Sequence, residues 1–196
     1  MTRDSDFARL VSLACHDLRT PLATVNGFAR TLTRFEQLED PMPRYLQMMA
    51  TAADQMGALL DDLGLVARIE SGRWEAPTRE ADTLELARGA AARVDAQVEV
   101  TGSGTGASVE PDAAERALAA LALCAVRHGG LERLDIAVDG AEIRMAPVTE
   151  ESAGVLVGED LRDFGAAVAG RVVSALGGSV AVDGEALVVR LPVAKG

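Results

Sequence analysis

The sequence predicts an α + α/β protein: an N-terminal helical hairpin over residues 1–72, then an α+β sandwich over residues 73–196. Three observations predict it. A heptad seam of apolar residues runs through the first segment. A proline-marked break separates that seam from a second apolar stripe. After Ser71-Gly72, helical patterns alternate with short strand patterns turned on glycine steps.

In the first segment Phe7, Val11, Ala14, Leu18, Pro21, Val25, Phe28, Leu32 and Phe35 recur at alternating steps of four and three. That spacing predicts one helix from about residue 4 to 36, with a seam that packs side by side with another helix. Residues 37–43 break it, with Asp40, Pro41 and Pro43 as turn formers. A second helix follows over about 44–69. Its stripe is Leu46, Met49, Ala53, Met56, Leu60 and Leu63, widened by Leu59 and Val66. The short connection makes the pair antiparallel. Two helices alone cannot bury both stripes, so a homodimer forming a four-helix bundle is expected. Ser71-Gly72 ends the second helix, glycine being a favoured stop.

Downstream, residues 83–94 read as a helix. Residues 97–101 and 107–109 read as a strand pair around the glycine tract 102–106, and 112–128 as an alanine- and leucine-rich buried helix. Residues 134–138 and 141–145 form a hairpin across Asp139-Gly140. A helix over 161–176 stops at Gly177-Gly178. A last hairpin joins 179–182 to 186–191 across Asp183-Gly184. Trp74 is expected to pack at the junction of the two units.

Composition removes several function classes. Aromatics are 3% of the chain, so alanine, leucine and valine must fill the core. No apolar run is long enough for a transmembrane helix, and the acid-containing start, MTRDSDFARL, is not a secretory signal. The net charge of −11 argues against nucleic acid. Cys15 and Cys124 form no CxxC or Cys/His cluster by sequence spacing, so no metal site is expected and a reducing, cytoplasmic location fits.

With Val11, Leu18, Val25 and Leu32 at heptad position a, His16 falls at f, roughly 170° from the seam centre at 100° per residue. It is expected to face solvent, with Thr20 one turn further on and Asp17 beside it. Neutral imidazole is a competent nucleophile near pH 7, and a neighbouring acid can hold its tautomer. Pro21 deletes a backbone hydrogen bond and tends to kink the helix, at a cost of roughly 3 kcal/mol in a helix interior. By position alone, an exposed histidine is an ordinary surface residue.

Residues 16–22 read HDLRTPL. This resembles the H-box of the two-component sensor histidine kinases, whose dimerisation and phosphotransfer domain is a helical hairpin dimer. The end of the second helix, LVARIESG over 65–72, is similar to the ending of that domain. The resemblance implies that His16 accepts a phosphoryl group and that Asp17 assists the transfer. It implies that Thr20 supports phosphatase action on a response-regulator receiver, with Arg19 and Pro21 contacting that partner.

The second unit resembles the kinases' ATP-binding (Bergerat-type) domain, with its boxes altered. The family's two N-box asparagines, the second of which holds magnesium, are matched by Ala120 and Cys124; Arg127 keeps a cationic position. An alanine offers no ligand, and a thiol suits a hard cation poorly. Where the family has Asp-x-Gly-x-Gly, this chain has Ala146-Pro147-Val148-Thr149-Glu150, and the glycine-rich box is reduced to Asp163-Phe164-Gly165. The stretch from Met145 to Gly165 is too short for a full lid over ATP.

The expected protein is therefore a phosphorelay histidine phosphotransferase. It exchanges phosphate between His16 and a receiver aspartate, binds no ATP, and relies on Mg2+ held by the receiver. The alternatives are an ATP-dependent kinase core and a pseudokinase that only binds a receiver. Three further features are read plainly: the 102–106 tract as a hairpin turn rather than a phosphate loop, His128 as a helix-terminus residue rather than a ligand, and Asp61-Asp62 as a solvated face rather than a metal pair.

Overall fold

The structure is a computed structural model. It describes residues 3–32, 34 and 41–194, and within the first helix the side chains of residues 11, 15, 16 and 18–32. Contacts divide the chain into two compact units, Met1–Trp74 and Glu75–Gly196. Trp74, the last residue of the first unit, is half-buried.

The first unit is a pair of packed helices, α1 (Arg3–Leu32) and α2 (Met42–Glu70). The predicted helix end near 36 and residues 37–40 of the predicted break lie outside the described residues, as do the side chains of Phe7, Ala14 and Asp17; Met42 and Pro43, placed in the break by sequence, already belong to α2. α1 runs on through Pro21. α2 starts with proline in its first turn, where the missing N–H has no intrahelical partner to lose. It stops as predicted: Gly72 takes φ +65°, and Ser71 and Arg73 donate back to the carbonyls of Ala67 and Arg68.

The two helices meet through small residues. Cys15 and Ala29 are buried on α1, with Leu22 and Asn26 half-buried; Leu46, Ala50, Ala53, Gly64 and Ala67 are buried on α2. A Cβ added at Gly64 would lie 4.0 Å from Cys15 Cβ, so these helices approach closely where side chains are least bulky. Polar links flank the contact. Asn26 donates to Asp54 Oδ1 at 2.7 Å, Arg30 pairs with Asp54, and Arg19 pairs with Asp61 at 2.5 Å.

The predicted seam splits. Leu18, Val25, Phe28 and Leu32 are exposed, as are Tyr45, Met49, Met56 and Leu59. On each helix this exposed apolar row is offset roughly 90° from the buried row, and in the same sense. Because the helices run antiparallel, rows offset in the same sense fall on one side of the pair. Among its described residues the hairpin thus carries one continuous apolar face that its two helices do not cover.

The second unit begins with β1 (Arg79–Asp82) and α3 (Thr83–Ala91). β2 (Gln97–Gly104), β3 (Gly106–Val109) and α4 (Pro111–Gly129) follow. Then come β4 (Arg133–Gly140), β5 (Glu142–Ala146), α5 (Glu150–Leu156) and α6 (Phe164–Ala175). β6 (Ser179–Asp183) and β7 (Ala186–Arg190) complete it. Five strands form one mixed sheet in the order β2-β4-β5-β7-β6; β1 and β3 form a separate antiparallel pair. β4 alternates strictly, with Leu134, Ile136 and Val138 buried and their neighbours exposed. Helix α4, buried along Ala114, Leu118, Leu121 and Ala125, packs against α3, α5 and α6. This is a two-layer sandwich: an amphipathic sheet under a helical layer.

Both predicted Asp-Gly hairpins form, β4–β5 and β6–β7, with Gly140 at φ +56° and Gly184 at φ +60°. The strand pair predicted around residues 102–106 does not. β2 runs parallel to β4, and β3 pairs with β1 in the other sheet. The glycines serve close approach instead of a hairpin turn. Gly102 lies at φ +104°, where a Cβ would meet the Val138 carbonyl oxygen at 1.9 Å. Buried Thr83 fixes the crossing between sheets, donating to the Gly140 carbonyl at 2.6 Å and accepting from Thr105 N at 3.0 Å. Two elements were not predicted, β1 and α5.

Candidate functional site

His16 stands on α1 and is exposed. At 100° per residue it lies about 110° from the row packed on α2 and roughly opposite the apolar row. Thr20 is exposed one turn further on; its carbonyl accepts from the Thr24 hydroxyl at 3.0 Å. Pro21 is also exposed. Asp17 belongs to α1, its side chain outside the described residues. Arg19, expected at a partner surface, is held within the hairpin: Nε and Nη2 both donate to Asp61 Oδ1, at 3.1 and 2.5 Å. Asp61, read as a solvated acid, is therefore an ion-pair partner, although both side chains stay about half exposed.

In the second unit α4 and α6 bring together the positions where the altered boxes fall. Cys124 is fully buried on α4, and Ala120 lies one turn before it. Gly165 is the second residue of α6; a Cβ there would lie 3.6 Å from Ala120 Cβ. That is ordinary van der Waals contact, so the close start of α6 against α4 does not by itself require glycine. Asp163 caps α6, its Oδ1 accepting from Ala166 N at 3.0 Å. Its Oδ2 faces Arg127 Nη1 at 3.0 Å and His128 Nε2 at 3.2 Å. Burial pushes the Cys124 thiol up to about 12; the Asp163 carboxylate adds to the rise and the Arg127 guanidinium opposes it. A neutral thiol and a methyl group supply no oxygen ligand, so this donor set does not fit a magnesium ion.

The sequence reading of no Cys/His cluster is corrected here. Cys124, His128 and Asp163 place a sulfur, a ring nitrogen and a carboxylate oxygen within 4.8 Å of one another. Two of the three members were close in sequence: Cys124 and His128 are at i and i+4, one face of one helix. The third member arrives from 35 residues away.

Between β5 and α6, where a lid would lie, the chain folds α5 onto α4. Thr149 and Ser152 form a capping box, Thr149 N donating to Ser152 Oγ at 3.1 Å, and Ser152, Val155 and Leu156 are buried.

Comparison with known proteins agrees with this arrangement. Residues 8–72 match the His Kinase A (phospho-acceptor) domain, so the hairpin is of the phospho-acceptor class. The hairpin is thus similar to the phospho-acceptor domain of the two-component histidine kinases, and the second unit shares its fold with solved histidine kinases. The phosphate regulon sensor protein PhoR of Pseudomonas aeruginosa is 42% identical over 69 residues, which are 34% of this chain and 14% of that protein. The chain spans about one seventh of the curated relatives it matches. Full-length ShkA, solved in complex with AMPPNP, shares the fold: TM-score 0.73 at 22% identity, covering 96% of this chain and 46% of that one. The histidine kinase AdeS of Acinetobacter baumannii aligns with TM-score 0.56 at 16% identity, covering 92% of this chain and 98% of that one. Among the described residues no helix is long and apolar enough to cross a membrane.

Proposed function

We propose that this chain is a phosphorelay protein that carries a phosphoryl group on His16 and exchanges it with the aspartate of a response-regulator receiver, without binding ATP itself. The observation that carries this reading is the pairing of an intact, exposed H-box with a second unit whose N-box positions hold Ala120 and Cys124. In the transfer, a neutral imidazole nitrogen attacks the phosphorus of the aspartyl phosphate. The new N–P bond forms as the P–O bond to the aspartate breaks, and the carboxylate leaves. The proton on the other ring nitrogen passes to a base, for which Asp17 is the candidate. Little covalent machinery is needed beyond positioning, because the receiver brings its own Mg2+ and acidic pocket. The uncovered apolar face supports a homodimer, two hairpins closing a four-helix bundle.

The test is incubation with a phosphorylated receiver and, separately, with radiolabelled ATP. Label arriving from the receiver and not from ATP is the expected result. Label arriving from ATP with no receiver present overturns the ATP-free reading and makes the chain a kinase core.

A further inference from the structure

We propose that Cys124, His128 and Asp163 form a binding site for a zinc-class divalent ion that ties the end of α4 to the start of α6. This inference does not rest on the phosphotransfer reading.

Three properties of the cluster carry it. The first is geometry. The three ligand atoms lie within 4.8 Å of one another. Around a tetrahedral zinc, such atoms sit about 3.4–3.6 Å apart, given zinc–ligand bonds of about 2.0–2.3 Å. His128 Nε2 and Asp163 Oδ2 are already at 3.2 Å, so closure needs only a shift of order 1 Å at the sulfur. The second is rigidity. Two ligands share one face of α4, four residues apart, and the third is the capping residue of α6, whose other oxygen is held by Ala166 N. The third is chemistry. Asp163 is the one buried carboxylate among the described residues. A sulfur, an imidazole and a carboxylate together suit a borderline cation, whereas magnesium would take the carboxylate and leave the thiolate unused.

Charge and access also agree. A thiolate and a carboxylate neutralise a divalent ion, the thiol proton being released to solvent as the sulfur–metal bond forms. Arg127 now supplies the positive charge beside Asp163 through a side chain that is 68% exposed. It can turn to water as the metal arrives, leaving an entry path and a fourth position for a water molecule. The competing account is a plain ion-pair network, Arg127 and His128 on Asp163, with Cys124 as a core residue.

The experiment uses the full chain, stripped with chelator and titrated with Zn2+ or Co2+. The expected result is one equivalent of zinc per chain retained through gel filtration. With Co2+, a near-ultraviolet thiolate-to-cobalt band should appear, and excess Mg2+ should not remove it. Cys124→Ala should abolish the band, and His128→Gln should weaken Co2+ binding at least tenfold. Cys15→Ser and Arg127→Gln should both retain the band. Zinc should raise the melting temperature of the parent chain and not of Cys124→Ala. The site is refuted by the absence of stoichiometric zinc and of the band in the parent chain. A band that survives Cys124→Ala, or equal affinity in His128→Gln, refutes it too. His128 is partly exposed, so that variant stands as the test if Cys124→Ala fails to fold.

Discussion

The two units of this chain differ in where their large apolar side chains lie. In the second unit the large side chains are inside: Leu118, Leu121, Leu134, Ile136, Ile143 and Met145 are fully buried. In the hairpin it is mostly the small ones that are buried, Cys15, Ala29, Ala50, Ala53, Gly64 and Ala67, while Phe28 is 67% exposed. A sheet under a helical layer can close a core within one chain. Two helices have only one line of contact, and each keeps apolar surface beside it. The second unit thus closes its own core, and the hairpin's two helices leave apolar surface exposed.

Four substitutions sharpen or break that contrast. The largest effect is expected from His16→Gln, which removes the nucleophile and leaves the packing alone. No label should reach the variant from a phosphorylated receiver, while its circular dichroism matches the parent; label on another residue of the variant sinks the assignment. Next, Leu121→Ala should destabilise the second unit by about 2–5 kcal/mol, the cost of a cavity in a closed core. In chemical denaturation that loss should not vary with protein concentration.

Phe28→Asp tests the opposite case. Within one chain this residue buries little, so the monomer should change by no more than about 0.5 kcal/mol. Self-association should be lost, read as a monomer mass in sedimentation where the parent gives a dimer; an unchanged dimer would show that the apolar face has another purpose. Arg19→Ala should have the smallest effect. Its pair with Asp61 is about half exposed on both sides, and exposed ion pairs contribute roughly 0–1 kcal/mol. A larger fall in receiver phosphotransfer than in hairpin stability would assign Arg19 to the partner surface.

Legibility in sequence followed how local each signal was. The two Asp-Gly hairpins, the glycine stop at Gly72 and the long alanine-rich helix were readable because one or two residues decide the backbone there. β1 was missed because Arg79-Glu80-Ala81-Asp82 carries no apolar alternation and gains its structure only by pairing with β3. α5 was missed because seven residues hold too little periodicity. The glycine tract misled because glycine serves both a turn and a close strand approach; only the Val138 carbonyl beside Gly102 decides between them. At the site, the exposure of His16 followed from the heptad frame. The Cys124–His128–Asp163 cluster did not, since its third member depends on how α6 meets α4. Nor did the Arg19–Asp61 pair, whose members are 42 residues apart on two helices.

The angular separation of the rows on α1 has a consequence for how such a protein changes over time. The apolar row and the histidine row share a helix and scarcely any surface. A substitution that strengthens or loosens self-association need not touch the residues that a receiver meets, and the reverse holds too. Affinity for its own copy and choice of partner can then drift along separate mutational paths within one thirty-residue segment. On the proposed function, a duplicated gene could acquire a new receiver without first losing self-association.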